Sequence, residues 1–321
     1  MTSKEIVKRT IHFQDAPRVP YYYINRDQHK SDFFAVGYTP NHLFPQPGTR
    51  FNEWGFSWQT FDGTMGQPDT HSITDWADFD AFKARIPSLG YPERFAAIPS
   101  QCAEHPDRYI MGGIGITGFN LLTFIRGFED TLSDFYSNRE KIEELLDIIV
   151  DFECEIIRGY GELGCIDGVG FGDDWGMQER LMIHPDMWRE IFKPRYKKQC
   201  DLAHSYGMDM YMHSCGYVYD IIQDWKDAGV DCFNFNEPSL LNIERLGKDF
   251  GGKICFSCAL NHQRTALTGT REELFAVARE LKDNLWVNGG GFIANIENYP
   301  TIGMTEERYH HIVDAFEALN P

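Results

Sequence analysis

Positive charge is scarce in this 321-residue chain: 30 Lys and Arg stand against 48 Asp and Glu, for a formal net charge of −18. A surface of that sign repels the phosphate backbone of nucleic acids and anionic lipid headgroups, so neither is an expected partner. Long apolar runs are missing as well. No stretch of about 18 uncharged apolar residues is available to cross a bilayer, and no apolar run of signal-peptide length follows Met1. A cytoplasmic protein is the expectation. The cysteines lack the compact spacing of a disulfide scaffold. Cys102, Cys154, Cys165, Cys200, Cys215, Cys232, Cys255 and Cys258 are scattered, which reads as free thiols in a reducing compartment. A nucleotide fingerprint is also absent, because the run Gly289 to Gly291 has neither the Gly-x-Gly-x-x-Gly spacing nor a following Lys-Ser/Thr pair.

What the chain does have is alternation. The opening TSKEIVKRTIHF carries a Thr-x-x-Glu capping box at Thr2 and Glu5, and leads into the strand-like PYYYI. Further on, the short apolar runs YIMGGIGI, CIDGVGFGDDW, MDMYMHSC, DCFNFNE, KICFSCAL and LWVNGGGFI are separated mostly by amphipathic stretches of helical period, among them REKIEELLDIIVDFECEIIRGY and a segment capped by Thr270 and Glu273. With PYYYI these make seven candidate strands in a β/α alternation. The fold expected is α/β, a (β/α)8 TIM-type barrel forming a single domain over residues 1–321, with a doubly wound sheet as the alternative. Residues 25–90 are rich in Gly, Pro, Asp and aromatics, and NEWGFSWQTFDGTMGQP resembles a hairpin with a loop. This range reads as an N-terminal insertion or lid, or as a structural flap.

In a barrel the chemistry belongs where strands end. Those ends carry Asp173, Asp174 and Trp175, then His213 and Cys215, then Asn236 and Glu237, then Cys258, then Asn288 before the glycines. One-residue spacing puts His213 and Cys215 on the same side of their strand, and Glu237 reaches the same rim from the next, so imidazole, thiolate and carboxylate form a plausible zinc site. Cys258 could serve as a further ligand or lie in the core. The paired aspartates could equally cap a helix, and the glycines could simply permit a turn. Tyr21, Tyr22, Tyr23, Trp54, Phe56 and Trp58 could wall an aromatic ligand or pack as core.

Over nearly its whole length the chain resembles the uroporphyrinogen decarboxylase superfamily, and within it the corrinoid-dependent methyltransferases. The likeness rests on APRVPYYYI, on TMGQP at Thr64 to Pro68, on GDDWGMQ at Gly172 to Gln178, on HSCGYVYDIIQDWKDAGVD from His213, and on VNGGGFIANIEN from Val287. It is also similar, more distantly, to cobalamin-independent methionine synthase, whose zinc motif pairs His-x-Cys with a glutamate at the end of the next strand; the matching positions here are His213, Cys215 and Glu237. Zinc methyltransferases acting on thiols usually supply a further cysteine from the last strand, where this sequence offers Asn288 and glycines, leaving either Cys258 as substitute or one position for an oxygen substrate.

The resemblance implies a methyltransferase that moves a methyl group from a small aryl methyl ether, of veratrol or vanillate type, to the cobalt(I) of a corrinoid (cobalamin) carried by a separate protein. Zn2+ would activate the ether oxygen, and Asp173 or Asp174 would orient ligand or metal. The expected substrate contacts are Tyr21, Tyr23, Met65, Gln67, Trp175, Asn236 and Asn288. The alternatives are transfer from methyl-corrinoid to a thiol carrier, uroporphyrinogen decarboxylation, or a noncatalytic metal-binding role. Decarboxylases of this family grip a tetrapyrrole's carboxylates through an arginine-bearing N-terminal segment, where this chain offers only Arg26.

Overall fold

A computed structural model of the protein describes residues 1–24, 26–41, 52–61, 66–87, 90–297 and 303–320. Eight parallel strands form a single sheet in the order β1 (Tyr21–Ile24), β10 (Phe292–Glu297), β9 (Cys255–Cys258), β8 (Cys232–Phe235), β7 (Asp209–His213), β6 (Gly168–Gly172), β5 (Tyr109–Ile116), β2 (Phe33–Gly37). The two ends of that order meet, since the Asp32 amide donates to the Tyr21 carbonyl at 2.8 Å, and the sheet curls into a (β/α)8 barrel. The remaining strands, β3 (Ser57–Gln59) and β4 (Gln67–Thr70), make a separate antiparallel hairpin.

Strand alternation divides the barrel side chains into two sets. Tyr22, Phe33, Tyr109, Met111, Tyr211, Cys232, Cys255 and Ile293 form the lumen cluster, sealed from below by Val7 and Ile11. Those two residues belong to the first helix, Ser3–Ile11, whose Thr2–Glu5 capping box is present as expected from the sequence. Lys4 and Lys8 of that helix each reach Asp167 at 2.9 Å, which ties the plug to the lower rim. The other set, including Phe171, Met210, Met212, Phe233, Phe235, Phe256, Cys258 and Ala294, faces the helix layer.

The 25-residue helix Arg139–Leu163 is the largest element of that layer, and Ile142, Leu145, Leu146, Ile149, Val150, Ile156 and Ile157 recur on its buried side. Fully burying each such side chain stabilises the fold by roughly 2 kcal/mol before the entropy cost is set against it. The capping box at Thr270 and Glu273 likewise starts the helix Arg271–Leu285.

Two sequence readings need correction. The range 25–90 is not one excursion, because it contains the eighth barrel strand β2, paired with β5 from Phe33–Tyr109 to Gly37–Gly113. Its aromatic residues pack as core: Trp54 lies edge-on to Phe152 at 5.1 Å and Phe56 edge-on to Phe124 at 5.6 Å. The second correction concerns the last strand. It starts after the glycine run, not before it, so Asn288 with a φ of 52° belongs to a turn at the floor of the barrel. The Gly291 amide donates to the Thr10 carbonyl there, and any side chain at Gly289 would collide with Asp15. Asn288 therefore lies opposite the mouth, and substrate contact is not open to it.

Candidate metal centre at the barrel mouth

The loops after β6 and β7 cross at two glycines. A Cβ on Gly176 would overlap the Gly216 backbone, and one on Gly216, whose φ is +76°, would overlap Gly176, so only glycine permits this approach at either position. The crossing is held by the Gly176 amide donating to the Cys215 carbonyl at 3.0 Å and the Tyr217 amide donating to the Met177 carbonyl at 2.7 Å. As a result the Cys215 amide donates to Asp174 Oδ1 at 2.8 Å. GDDWG and HSCG are thus one device seen from two strands.

Asp174, His213 and Cys215 are the group of metal-ligating side chains that the fold assembles among the described residues, with their donor atoms all within 4.8 Å of one another. His213 Nε2 is 3.3 Å from Cys215 Sγ and 3.5 Å from Asp174 Oδ1. The opposite ring nitrogen, Nδ1, lies 2.6 Å from Asn234 Oδ1, while Asn234 Nδ2 donates to the Ser257 carbonyl at 2.9 Å. With its amide thus oriented, Asn234 accepts the Nδ1 proton and leaves the Nε2 lone pair facing the other two donors. Burial and the Asp174 carboxylate push the Cys215 thiol up, so the group holds a proton that a divalent cation would displace. Carboxylate, imidazole and thiolate on three sides suit zinc with an open fourth position.

If that is what Asn234 does, Asn234→Leu should weaken zinc binding by about 10- to 100-fold without removing a ligand. Competition against a chromophoric chelator measures this directly; an unchanged affinity would show that His213 needs no orienting partner.

The remaining sequence candidates separate. Glu237 reaches the rim, but its carboxylate accepts from the Gln263 amide and is not in the three-donor group. Cys258 is fully buried on the outward face of β9 among the helix-layer residues, so it is not available to the centre. Asp173, one residue from Asp174, is also fully buried: it accepts from the Phe119 amide at 3.0 Å, the Asn120 amide at 2.9 Å and the Tyr196 hydroxyl. It anchors the start of the helix Gly118–Arg126, and the capping role considered for the aspartate pair falls to it alone. Trp175 is sealed in core, stacked on Phe119 at 4.3 Å and donating to Tyr196 Oη at 2.9 Å.

Tyr21 and Tyr23 pack with the outward set, and it is Tyr22 that faces the lumen; the sequence choice took the wrong parity. Gln67 is exposed on the hairpin, and Met65 lies outside the described residues. Asn236 does reach the mouth, where it hydrogen-bonds Glu297, a residue of the true last strand. Glu297 and His262 escaped sequence reasoning. Both carry an electrostatic imprint of His213, and burial, reinforced by His213, brings the His262 imidazole down to about 4. Correct placement of the last strand would have revealed Glu297; His262 lies in a loop with no local signal.

Beneath Asp173 sits a second buried carboxylate. Glu153 accepts from the Gly118 amide at 2.8 Å and from Gln199, and burial raises it from 4.5 to about 8. A carboxyl raised in the folded state contributes stability that is complete below its unfolded value and lost as pH rises through the folded one. Between about pH 5 and about pH 9 the melting temperature of the parent protein should therefore fall, and Glu153→Gln should reduce that fall by about 3 °C or more. Parallel melting profiles of the two proteins would refute this account.

Among the described residues no helix is long and apolar enough to cross a membrane. The chain is similar in fold to a methyltransferase from Methanosarcina mazei, with 16% identity, 99% of each chain covered and a TM-score of 0.69. It also aligns with the Escherichia coli 3-keto-D-glucoside 4-epimerase YcjR at 15% identity, covering 78% of this chain and 96% of that one, with a TM-score of 0.44. For D-psicose 3-epimerase from Clostridium cellulolyticum H10 the figures are 11% identity, 70% and 82% coverage, and a TM-score of 0.41. No curated protein matches the sequence. The family model for uroporphyrinogen decarboxylase (URO-D) matches residues 60–319, most of the chain, and the protein belongs to that family.

Proposed function

We propose that the protein is a zinc-dependent methyltransferase that takes the methyl group of a small aryl methyl ether and delivers it to the cobalt(I) of a corrinoid held by a separate protein. The observation that carries this reading is the convergence of Asp174, His213 and Cys215 at the mouth of a barrel of this family. A bound zinc ion would supply Lewis-acid stabilisation of the negative charge that develops on the ether oxygen as the phenolate leaves. Asp174, His213 and Cys215 would hold the ion, Asn234 would fix the imidazole, and the Gly176–Gly216 crossing keeps the two loops in register. The mouth is the face at which a protein-bound cobalt can approach the methyl carbon in line, opposite the departing oxygen.

Two features favour an ether donor over the alternatives. Cys258 points away from the centre, so the donor set has one thiolate and one carboxylate, a harder combination than thiol-activating sites use, and one suited to an oxygen substrate. Decarboxylation of a polycarboxylate calls for cations at the mouth, yet Arg26 donates to Glu306 at 2.8 Å and stacks 4.3 Å over the Tyr309 ring. The decisive assay mixes zinc-loaded protein, a methoxylated aromatic and a corrinoid protein reduced to cobalt(I). Free phenol and methyl-cobalt should appear in equal amounts; methyl transfer that runs only from methyl-cobalt to a thiol would overturn the proposal.

A further inference from the structure

Four buried polar atoms on three residues beside the metal-ligating group have no partner in the protein. They are Glu297 Oε2, Asn236 Oδ1 and, deeper in the lumen, Asn295, which is fully buried with both Oδ1 and Nδ2 unbonded. Asn295 lies on β10 between Ile293, a lumen residue, and Glu297, so strand alternation points all three the same way. Across the barrel wall its register partner is Tyr22. The Asn236 side chain lies against Glu297, and its carbonyl oxygen is buried without a donor. An unpaired polar group in a buried place is destabilising, and several together mark where a ligand's polar atoms belong.

The inventory of these atoms is one-sided. Glu297 Oε2 and Asn236 Oδ1 only accept, and Asn295 offers one acceptor and one donor. The carboxylates of Asp174 and Glu237 stand at the same mouth. A ligand that fits brings a hydrogen-bond donor and places no negative charge against Glu297.

Resting on the methyl-transfer reading of the metal centre, we propose that Glu297, Asn236 and Asn295 form the specificity wall of the donor site. This wall selects an uncharged methoxyarene that carries a free hydroxyl and rejects one that carries a carboxylate. The hydroxyl donates to Glu297 Oε2 and accepts from Asn295 Nδ2, which satisfies atoms otherwise stranded. A carboxylate presents oxygen to oxygen and charge to like charge, and such a mismatch in a buried site is penalised far more than a change of shape.

The test is calorimetric titration of the zinc-loaded full chain with 2-methoxyphenol, 1,2-dimethoxybenzene and 4-hydroxy-3-methoxybenzoate. The expected order is 2-methoxyphenol tighter than each of the others by about 10-fold or more. The near-isosteric Glu297→Gln, whose fold is checked by its melting temperature, should improve binding of the benzoate by about 10-fold, since it removes one charge and adds a donor. Benzoate binding equal to that of 2-methoxyphenol, or a benzoate affinity unmoved by Glu297→Gln, would overturn the proposal. Methyl-cobalt formation is followed with the same three compounds. Transfer from any of them without the expected order sinks the specificity wall alone, whereas failure of all three to bind or react sinks the methyl-transfer reading with it.

Discussion

Replacing His213 or Cys215 by alanine is expected to lower zinc content from about one ion per chain to under about a tenth, and to slow methyl transfer by roughly 1000-fold or more. The magnitude follows from what a three-donor site can lose. With Asp174, His213 and Cys215 within 4.8 Å, removing one leaves two donors, too few to compete with water and buffer for the ion. The leaving phenolate would then develop its charge without a cation beside it. Asp174 and Glu237 are expected to part company in the same experiment. Asp174→Ala should release zinc, while Glu237→Gln should retain it, because the Glu237 carboxylate is engaged by the Gln263 amide. Elemental analysis after reloading reads both. Full occupancy in His213→Ala and Cys215→Ala together would refute the assignment, and release of zinc from Glu237→Gln but not Asp174→Ala would exchange the third ligand.

The barrel was legible because each of its determinants is local. Capping boxes at Thr2 and Thr270, helical repeats and short apolar strands all have a period that can be read within a window of residues, and each is present in the fold. The HSCG turn was legible for the same reason: spacing of two on a strand puts His213 and Cys215 on one side. What the sequence hid depends on register. The strand Phe33–Gly37 is short, and the Gly37 and Pro40 that bound it merge with the Gly- and Pro-rich stretch that follows. At LWVNGGGFI the apolar residues straddle the glycines, and assigning the strand to the wrong side moved its chemistry from floor to mouth: Asn288 was chosen where Glu297 belongs. Parity decided Tyr22 against Tyr21 and Tyr23, and a run of three tyrosines contains no clue to which one faces inward.

The aspartate pair shows how two identical neighbours divide their work. Asp173 is fully buried, accepts two backbone amides and the Tyr196 hydroxyl, and burial raises it to about 7. Asp174 lies in the open mouth and meets His213 at 3.5 Å. Sequence alone leaves both capping and a role at the metal open for the pair, and only the surroundings separate them, since a carboxylate's function follows its hydration and its neighbours.

Without a corrinoid protein, the zinc-loaded chain is expected to release no measurable catechol from 2-methoxyphenol; on adding that protein in its cobalt(I) state, catechol and methyl-cobalt should rise together at one molecule each. The dependence is all-or-none for a chemical reason. An ether methyl yields only to a very strong nucleophile, and the candidates at the mouth fall short: Cys215 is needed as a ligand, and Cys258 is sealed on the outward face of β9. The barrel lumen cannot substitute by enclosing a cofactor, because its floor is filled by Tyr22, Tyr109, Tyr211 and their neighbours and plugged by Val7 and Ile11. On the proposed reading the nucleophile arrives from outside, at the mouth, carried by a partner whose docking would also exclude water. Absorbance of the cobalt centre and chromatography of the phenol, taken from the same samples, measure the two products independently. Catechol release by the chain alone would mean that the methyl group passes to water or to one of its own side chains, and would move the search from the partner's cobalt to the barrel mouth itself.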